Sequence, residues 1–214
     1  MPDMTGISTT EFRKLSLLAY DQREDLRKNI GLSGIVFLFV GRLESGKGII
    51  PLMQAIEQRK SELTGRCSFL FVGSGALQEE AEARAKTIMG IPFHFQGFVQ
   101  PEQLPQFFAM GDVFIMPTLD DNWPLVNLEA LAAGLPQIYS IFNGGMMDMN
   151  PLAGIGEAID PRDVAVVGQR LVDCVNSPVM RIQSEEALSL LNHYSPESQA
   201  QRAVCSLKQV LGGG

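Results

Sequence analysis

Two short segments of the sequence, 35–40 (IVFLFV) and 67–72 (CSFLFV), are apolar almost from end to end. Strands with one solvated face alternate apolar and polar side chains, so uninterrupted apolar runs are typical of parallel strands that helices cover on both faces. Further strand-like runs alternate with helical patterns, the strands at 93–96, 112–117 and 136–140 and the helices at 49–63, 76–89, 102–110 and 124–133. This alternation predicts an α/β fold, a doubly wound, Rossmann-like parallel sheet flanked by helices.

The remainder of the chain is predicted to be mainly helical. A last edge strand at 154–160 precedes a helical C-terminal tail with helices at 161–175, 179–192 and 196–210. Before the first strand, 21–31 predicts a short helix that Asp21 caps and Gly31 ends. The first 20 residues have no clear period. We interpret 1–20 as a linker-like segment and 21–214 as a single domain, which is long enough for one core.

Composition limits the partners that the chain is expected to have. The net charge of −7 and the pI near 4.9 argue against nucleic acid, because phosphate backbones attract basic surfaces. The three cysteines, Cys67, Cys174 and Cys205, lie far apart without metal-ligand spacing, as in a reduced protein. The apolar runs are too short to span a bilayer, and the start of the chain lacks the pattern of a secretory signal. We therefore expect a cytoplasmic protein with no membrane span.

The loop after the first predicted strand, GRLESGKG, comes close to a phosphate-binding P-loop. Gly41, Gly46 and Lys47 match the pattern G-x-x-x-x-G-K-[ST], but Gly48 stands where a serine or threonine is required. Arg42 and Lys47 are cations that directly precede a predicted helix, whose N-terminus favours an anion such as a diphosphate. The alternative is that both are solvated loop charges.

A second unusual loop, TLDDNWPLVNLEALAAG, follows the fourth predicted strand. In an open parallel sheet of order 3-2-1-4-5-6, ligands bind beyond the carboxyl ends of strands 1 and 4, where the strand order reverses. This order would bring the second loop and GRLESGKG to opposite sides of one crevice.

The second loop carries two carboxylates beside a predicted helix start. Pro124 suits a first helical position, which leaves the N–H groups of Leu125 and Val126 free at the start of the helix. Asp121 and Glu129 are good acceptors for the hydroxyls of a ribose or a hexose. Cations, a helix N-terminus and carboxylates around one crevice indicate a ligand with both a diphosphate and sugars. The alternative is that Asp121 caps the helix and Glu129 is a surface charge.

These loops together resemble the retaining glycosyltransferases of family 4, which have the two-domain GT-B fold. The matching motifs stand in the order of the family: FVGRLESGKGIIPLMQAI, FLFVGSGALQEE, FHFQGFVQPEQLPQFFAMGDVFIMPT and DDNWPLVNLEALAAGLP. The resemblance covers about 35–145 and is weaker over the helical tail. It implies that Gly48 is not a lost magnesium ligand, because this type of loop does not use one.

The resemblance also implies roles for the residues around the diphosphate. Arg42 and Lys47 would hold the diphosphate of a UDP- or GDP-sugar beside Gly41, with help from the backbone at Leu125 and Val126. The transfer would need neither a metal nor a cofactor.

Other residues would hold the remaining parts of the donor. By the same resemblance, the Val99 backbone would contact the base, Glu129 would hold the ribose hydroxyls, and Asp121 would lie nearest the transferred sugar. Two positions in the second loop depart from the family pattern. Asp121 is one methylene shorter than the usual glutamate, and Pro124 replaces a frequent glycine and has no N–H to donate.

The family has two similar domains, and this chain resembles the C-terminal, nucleotide-sugar-binding domain only. The segment 4–12, MTGISTTEF, is similar to the linker between the two domains. The resemblance therefore implies a separate N-terminal domain that binds the acceptor, and an enzyme of hexosyltransferase type in which this chain alone is inactive. The alternatives for the chain itself are a piece of a longer enzyme, a partner of a separate subunit, or a remnant.

Two other functions compete with this interpretation. A P-loop nucleoside triphosphatase is disfavoured by Gly48, by Glu44 inside the loop, and by the lack of a strand-end aspartate suited to a metal. A non-catalytic module that binds nucleotide sugars has the same sequence signals as the donor domain of an enzyme.

Overall fold

The computed structural model describes residues 8–122 and 125–194, together with Ser198, Gln201, Arg202 and Val204. Within these residues, strands form one six-stranded sheet in the order β3-β2-β1-β4-β5-β6, and the neighbouring strands pair in parallel. The strands are β1 (Ile35–Val40), β2 (Cys67–Val72), β3 (Phe93–Gly97), β4 (Val113–Met116), β5 (Gln137–Ser140) and β6 (Gly156–Ile159). The predicted doubly wound parallel sheet is confirmed, and its strand order is the one that was assumed in placing the two loops at one crevice.

Helices connect and cover the strands. The helices of the described part are α1 (Thr9–Tyr20), α2 (Arg23–Asn29), α3 (Ile49–Gln58), α4 (Lys60–Leu63), α5 (Gln78–Thr87), α6 (Leu104–Met110), α7 (Leu125–Ala132), α8 (Gly144–Ala153), α9 (Val164–Asn176) and α10 (Glu185–His193). Their contacts divide them into two groups, with α3, α4, α5 and α9 in one and the remaining helices in the other. Such a division is expected when right-handed crossovers run in both directions from β1.

Two ladders of phenylalanine rings fill the interior beside the first three strands. Phe37, Phe69 and Phe93 stack with ring centroids 5.1 and 5.4 Å apart, because parallel pairing puts these positions next to one another. Phe39, Phe71 and Phe95 repeat the arrangement two residues further along, at 5.8 and 4.8 Å. The ladders occupy one face of β1 and β2, and the residues between them, such as Leu38 and Leu70, are buried on the other face, so both strands are apolar almost throughout.

Residues 9–20, where the sequence shows no clear period, form helix α1. Ser8 caps the helix by accepting a hydrogen bond from the Glu11 N–H, at 3.2 Å. Phe12 is buried and meets the ring of Phe108 edge to face, at 5.2 Å, so α1 packs on α6. The division into a linker-like segment 1–20 and a domain from 21 onwards stays a prediction.

Several predicted helix ends need correction. Asp21 does not cap α2; it ends α1, and the residue before α2 is Gln22, which makes no capping side-chain bond. The segment 49–63 breaks into α3 and α4 at Arg59. The helix expected over 179–192 begins only at Glu185, capped by Ser184. Most of the helix expected over 196–210 lies outside the described residues.

Candidate functional site

A crevice opens beyond the carboxyl ends of β1 and β4, where the strand order reverses. Its cavity has a volume of about 320 Å³. Every predicted site residue except Arg42 lines it: Gly41, Lys47, Val99, Asp121, Leu125, Val126 and Glu129. The structure thus brings together residues from the loops after β1, β3 and β4 and from helix α7.

Lys47 and Asp121 meet inside this crevice. Lys47 ends the 3-10 turn Ser45–Lys47, and its ammonium group donates a hydrogen bond to the Asp121 carboxylate. Only 18% of the Lys47 side chain and 19% of the Asp121 side chain are exposed. At this depth the two opposite charges attract each other more strongly than at the surface.

Gly48 is required by the way the first loop packs. Its φ of +69° lies in the left-handed region, and a Cβ atom there would lie 1.8 Å from the Pro117 carbonyl oxygen. A serine or threonine has no room at this position. The residue that breaks the P-loop pattern is therefore set by contact with the loop after β4.

The loops around the crevice are tied together through Gly46 and Gly41. The Leu119 N–H and the Thr118 hydroxyl both donate to the Gly46 carbonyl oxygen, at 2.8 and 3.0 Å. On the other side, a Cβ atom at Gly73 would lie 2.0 Å from the Gly41 carbonyl oxygen. The sequence analysis missed Thr118 and Gly73, which act by burial and close backbone approach.

Arg42 lies apart from the other predicted residues. Its side chain is 72% exposed and pairs with Glu44 at 3.2 Å. It lines an adjoining cavity of about 230 Å³, which shares Gly41, Phe98 and Val99 with the crevice. The sequence analysis also overlooked Phe98, which is 71% exposed between the two cavities. In this conformation the structure does not bring Arg42 and Lys47 together.

Helix α7 forms one wall of the crevice. Its described part begins at Leu125, while Trp123 and the predicted N1 residue Pro124 lie outside the described residues. Glu129 is 7% exposed, so the alternative that it is a surface charge is wrong. Its carboxylate stands one turn behind Leu125 and lines the cavity.

A buried amide cluster fixes α7 against the neighbouring elements. Asn127 donates to the Gln137 side-chain oxygen at 2.7 Å, and Gln137 donates back to the Asn127 carbonyl oxygen at 2.9 Å. The Asn143 amide donates to the Asn127 side-chain oxygen at 3.0 Å. These three residues are at most 2% exposed. They join α7 to β5 and to the start of α8, and the sequence analysis did not single out Asn127 or Gln137.

The segment NGG, at 143–145, approaches the second loop closely. A Cβ atom at Gly144 would lie 2.9 Å from the Asn122 carbonyl oxygen. The Gly144 N–H donates to the Asp121 carbonyl oxygen at 3.2 Å, and the Asp121 N–H donates to Phe142 at 3.3 Å. The backbone of Asp121 is thus held from both sides.

A larger cavity, of about 500 Å³, lies at the amino ends of β4, β5 and β6, opposite to the ends where the crevice opens. Its lining includes Gly156, Arg170 and Cys174. Burial, more than the nearby Glu157, raises the pKa of the Cys174 thiol to about 11, so this thiol is uncharged near neutral pH. Ligands of open parallel sheets bind beyond the carboxyl ends of the strands, and we therefore regard the smaller crevice as the candidate site.

The described part of the chain contains no cluster of three or more histidine, cysteine, aspartate or glutamate side chains that could hold a metal ion. Among the helices there, none combines the length and the apolar character that a bilayer crossing demands.

An open parallel sheet with a charged crevice at its switch point defines a Rossmann-like ligand-binding domain. Comparison with known proteins identifies the family. The model for glycosyl transferases group 1 matches residues 22–187, so the chain belongs to that family.

Individual relatives agree with this result. The chain is 33% identical over 114 residues to sulfoquinovosyl transferase SQD2 of Arabidopsis thaliana, a match that covers 53% of this chain and 21% of the relative. It is 29% identical over 166 residues to the UDP-Gal:alpha-D-GlcNAc-diphosphoundecaprenol alpha-1,3-galactosyltransferase of Escherichia coli, covering 75% of this chain and 42% of that protein.

Solved structures share the fold. The α,α-trehalose 6-phosphate synthase of Burkholderia multivorans matches 96% of this chain with a TM-score of 0.78 at 20% identity, over 49% of its own chain. The Anabaena protein Alr3699/HepE, solved in complex with UDP and glucose, matches 73% of this chain with a TM-score of 0.62 at 19% identity, over 43% of its own. The chain therefore spans less than half the length of each of these four proteins.

Proposed function

We propose that this chain is the nucleotide-sugar-binding domain of a two-domain, retaining glycosyltransferase of family 4. The observation that carries the proposal is that Lys47, Asp121, Glu129 and the described start of α7 line one crevice at the switch point of the sheet. This set combines a cation and a helix N-terminus for a diphosphate with two carboxylates for sugar hydroxyls.

The donor that fits this set is a UDP- or GDP-sugar. Lys47 and the backbone at Leu125 and Val126 would bind the diphosphate, and Glu129 would accept hydrogen bonds from the ribose. Val99, on the loop after β3, would contact the base. The relative from Escherichia coli is named for a UDP-galactose donor, and the Anabaena structure contains UDP and glucose, which supports this class of ligand.

Arg42 would join the site by turning its side chain. It pairs with Glu44 at an exposed position, and such surface ion pairs contribute only about 0–1 kcal/mol. Exchange of that partner for a diphosphate oxygen would therefore cost little. The gain from a charge-assisted bond to phosphate is larger, about 1.5–3 kcal/mol.

In sugar transfer these groups would stabilise the departing diphosphate. Negative charge grows on the diphosphate as the bond to the sugar breaks, and fixed donors that are already aimed at it lower the barrier. Lys47 and Arg42 would supply that stabilisation without a metal, and Asp121 would lie beside the transferred hexose. The acceptor hydroxyl would come from a site on a separate N-terminal domain. The scattered cysteines are consistent with a cytoplasmic location for this enzyme.

Calorimetric titration tests the proposal. The chain is titrated with UDP, GDP, ADP and ATP, each with magnesium and with EDTA. We expect UDP or GDP to bind with affinities that agree within about twofold in the two buffers, and Lys47→Ala to weaken binding about 10- to 100-fold, the effect of one lost charge-assisted bond.

The matched control is Lys28→Ala, which removes an exposed lysine on α2, a helix that contributes no residue to the lining of the crevice. It should bind like the unaltered chain. Magnesium-dependent binding with a preference for ATP would instead support the P-loop triphosphatase. Equal affinity of the Lys47 and Lys28 variants would mean that the phosphate site lies elsewhere.

A further inference from the structure

We infer that the Lys47–Asp121 pair makes the crevice discriminate between a nucleotide sugar and the nucleoside diphosphate left after transfer, holding the first and expelling the second. The inference rests on the proposed function and concerns how the same site is regulated through its turnover.

The ammonium group of Lys47 already has a partner in this structure. Lys47 would be the innermost cation of the diphosphate site, yet in this structure its ammonium group contacts the Asp121 carboxylate. Both side chains are about four-fifths covered, so neither charge is well solvated. A buried charge that loses its partner without a replacement is strongly destabilising. A phosphate that takes Lys47 must therefore leave Asp121 with something in return.

The backbone of Asp121 is held at the site. Its N–H donates to the Phe142 carbonyl oxygen, its own carbonyl oxygen accepts from Gly144, and it forms a parallel bridge with Asn143. The Lys47 backbone is held by one hydrogen bond, from its N–H to the Glu44 carbonyl oxygen at 3.0 Å. The short aspartate side chain can therefore change partners only close to this point. The displaced carboxylate stays within a few ångströms of the arriving diphosphate.

A nucleoside diphosphate and a nucleotide sugar offer different groups to the Asp121 carboxylate. A nucleoside diphosphate offers phosphate oxygens, which only accept hydrogen bonds and repel the carboxylate at close range. A sugar attached to the diphosphate adds hydroxyl groups, which can donate to Asp121. Both ligands bring the diphosphate and its repulsion, but only the nucleotide sugar offsets that repulsion with hydroxyl donors for the carboxylate that has lost Lys47. The exchange favours the nucleotide sugar.

This difference gives the pair a role in each turnover. When the sugar leaves for the acceptor, Asp121 loses its donors while the diphosphate still occupies Lys47. Re-formation of the Lys47–Asp121 contact then drives the nucleoside diphosphate out of the crevice. Asp121 thus distinguishes a ligand that carries a sugar from one that does not.

The test is Asp121→Asn, titrated calorimetrically with UDP against UDP-galactose and with GDP against GDP-mannose. The amide removes the charge that repels phosphate and frees Lys47. We expect affinity for the nucleoside diphosphate to rise about threefold or more and affinity for the nucleotide sugar to fall, so that their ratio shifts about tenfold. Asp121→Glu, which keeps the carboxylate, should preserve the preference for the nucleotide sugar.

The matched control is Asp120→Asn, which makes the same change of charge one residue earlier, at an exposed position. Its ratio should stay within about twofold of the unaltered chain. If Asp121→Asn does not fold, as judged by its melting curve, Asp121→Ser replaces it in the same titrations.

The outcomes separate two failures. If the unaltered chain binds none of the four ligands, the proposed function falls and the inference falls with it. If it binds them and the Asp121 variants leave the ratio unchanged, or weaken both ligands equally, the proposed function stands and the inference is wrong.

Discussion

Gly48 is the residue at which the first loop departs from a P-loop, and its surroundings explain the departure. A side chain there would meet the Pro117 carbonyl oxygen, and φ is +69°. We predict that Gly48→Ser, which restores the P-loop pattern, lowers the free energy of unfolding by more than the roughly 1–3 kcal/mol of backbone strain alone. Urea denaturation measures this change.

Gly46→Ser is the control for that substitution. It lies in the same loop, but a Cβ atom there would have no atom within 4 Å. It should leave the free energy of unfolding within about 0.5 kcal/mol of the unaltered value, as surface substitutions do. Equal stability of the two variants would mean that the loop is not packed as described.

Glu129 and Asp121 are expected to hold different parts of the donor. We predict that Glu129→Ala weakens UDP and UDP-galactose alike, by about tenfold, because the ribose is common to both ligands and a hydrogen bond to a charged group contributes about 1.5 kcal/mol or more. Asp121→Ala should weaken UDP-galactose and should not weaken UDP, whose diphosphate no longer competes with a carboxylate for Lys47. Calorimetry with Asp120→Ala as the control measures both effects, and the reverse pattern would mean that the two carboxylates have been assigned the wrong way round.

At this scale, the sequence predicted most of the crevice because its residues directly follow strand ends. Lys47 and Asp121 come from loops after β1 and β4, and parallel pairing forces these loops together. Arg42 differs because a side chain two residues away, Glu44, holds it at the surface, and a rotamer preference leaves no signal in a sequence pattern. Thr118 was missed because a buried hydroxyl bonded to backbone looks like any other threonine in a loop.

Helix α7 is the element whose position matters most for the site. The amide cluster of Asn127, Gln137 and Asn143 holds it to β5 and α8. We predict that Asn127→Ala lowers the free energy of unfolding by about 1–3 kcal/mol, because buried amides of its two partners lose hydrogen bonds. Chemical denaturation tests this, with Asn192→Ala as the control at an exposed position on α10. Equal stability of the two variants would contradict a structural role for the cluster.

The strands were predicted within a residue or two, whereas several helices were not, for physical reasons. The segment before α10 has no regular secondary structure, and it is held in place by Arg181. The Arg181 guanidinium donates to the Ala109 and Gly111 carbonyl oxygens, at 2.9 and 3.0 Å, and lies over the Tyr20 ring. These contacts join distant parts of the chain, so no local pattern reveals them. Helix α1 was missed because Leu17 and Leu18 are exposed and Ser16 is buried, which obscures its apolar face.

For the whole molecule, the alternation of apolar strands and helices was enough to predict a doubly wound sheet with helices on both faces. The strand order was taken from the common Rossmann pattern, and the structure has that order. The alternation alone could not predict which cavity is the binding site, because several cavities open around the sheet. The motifs after β1 and β4 are the reason for our proposal that the crevice beside them is the site, and the family match covers both motifs, over 22–187.

In our proposal, sugar transfer requires an acceptor-binding domain in addition to these 214 residues. Alignment of an acceptor with the donor can account for about 7–11 kcal/mol of a barrier, and in our proposal a separate domain provides it. We predict that the chain alone binds donor and transfers no sugar, and that fusion to the N-terminal domain of a relative restores transfer. A radiolabelled transfer assay measures both, and turnover by the chain alone would contradict this part of the proposal.

We propose that nucleotide binds in the crevice between the loops after β1 and β4, and amide chemical-shift mapping locates the bound nucleotide. The isotope-labelled chain is titrated with UDP and with GDP in EDTA. We expect the largest shifts at Lys47, Val99 and Val126, with unchanged amide signals for Gly156 and Cys174 at the opposite cavity. Largest shifts at Gly156 and Cys174, or no shifts with either nucleotide, would contradict this proposal.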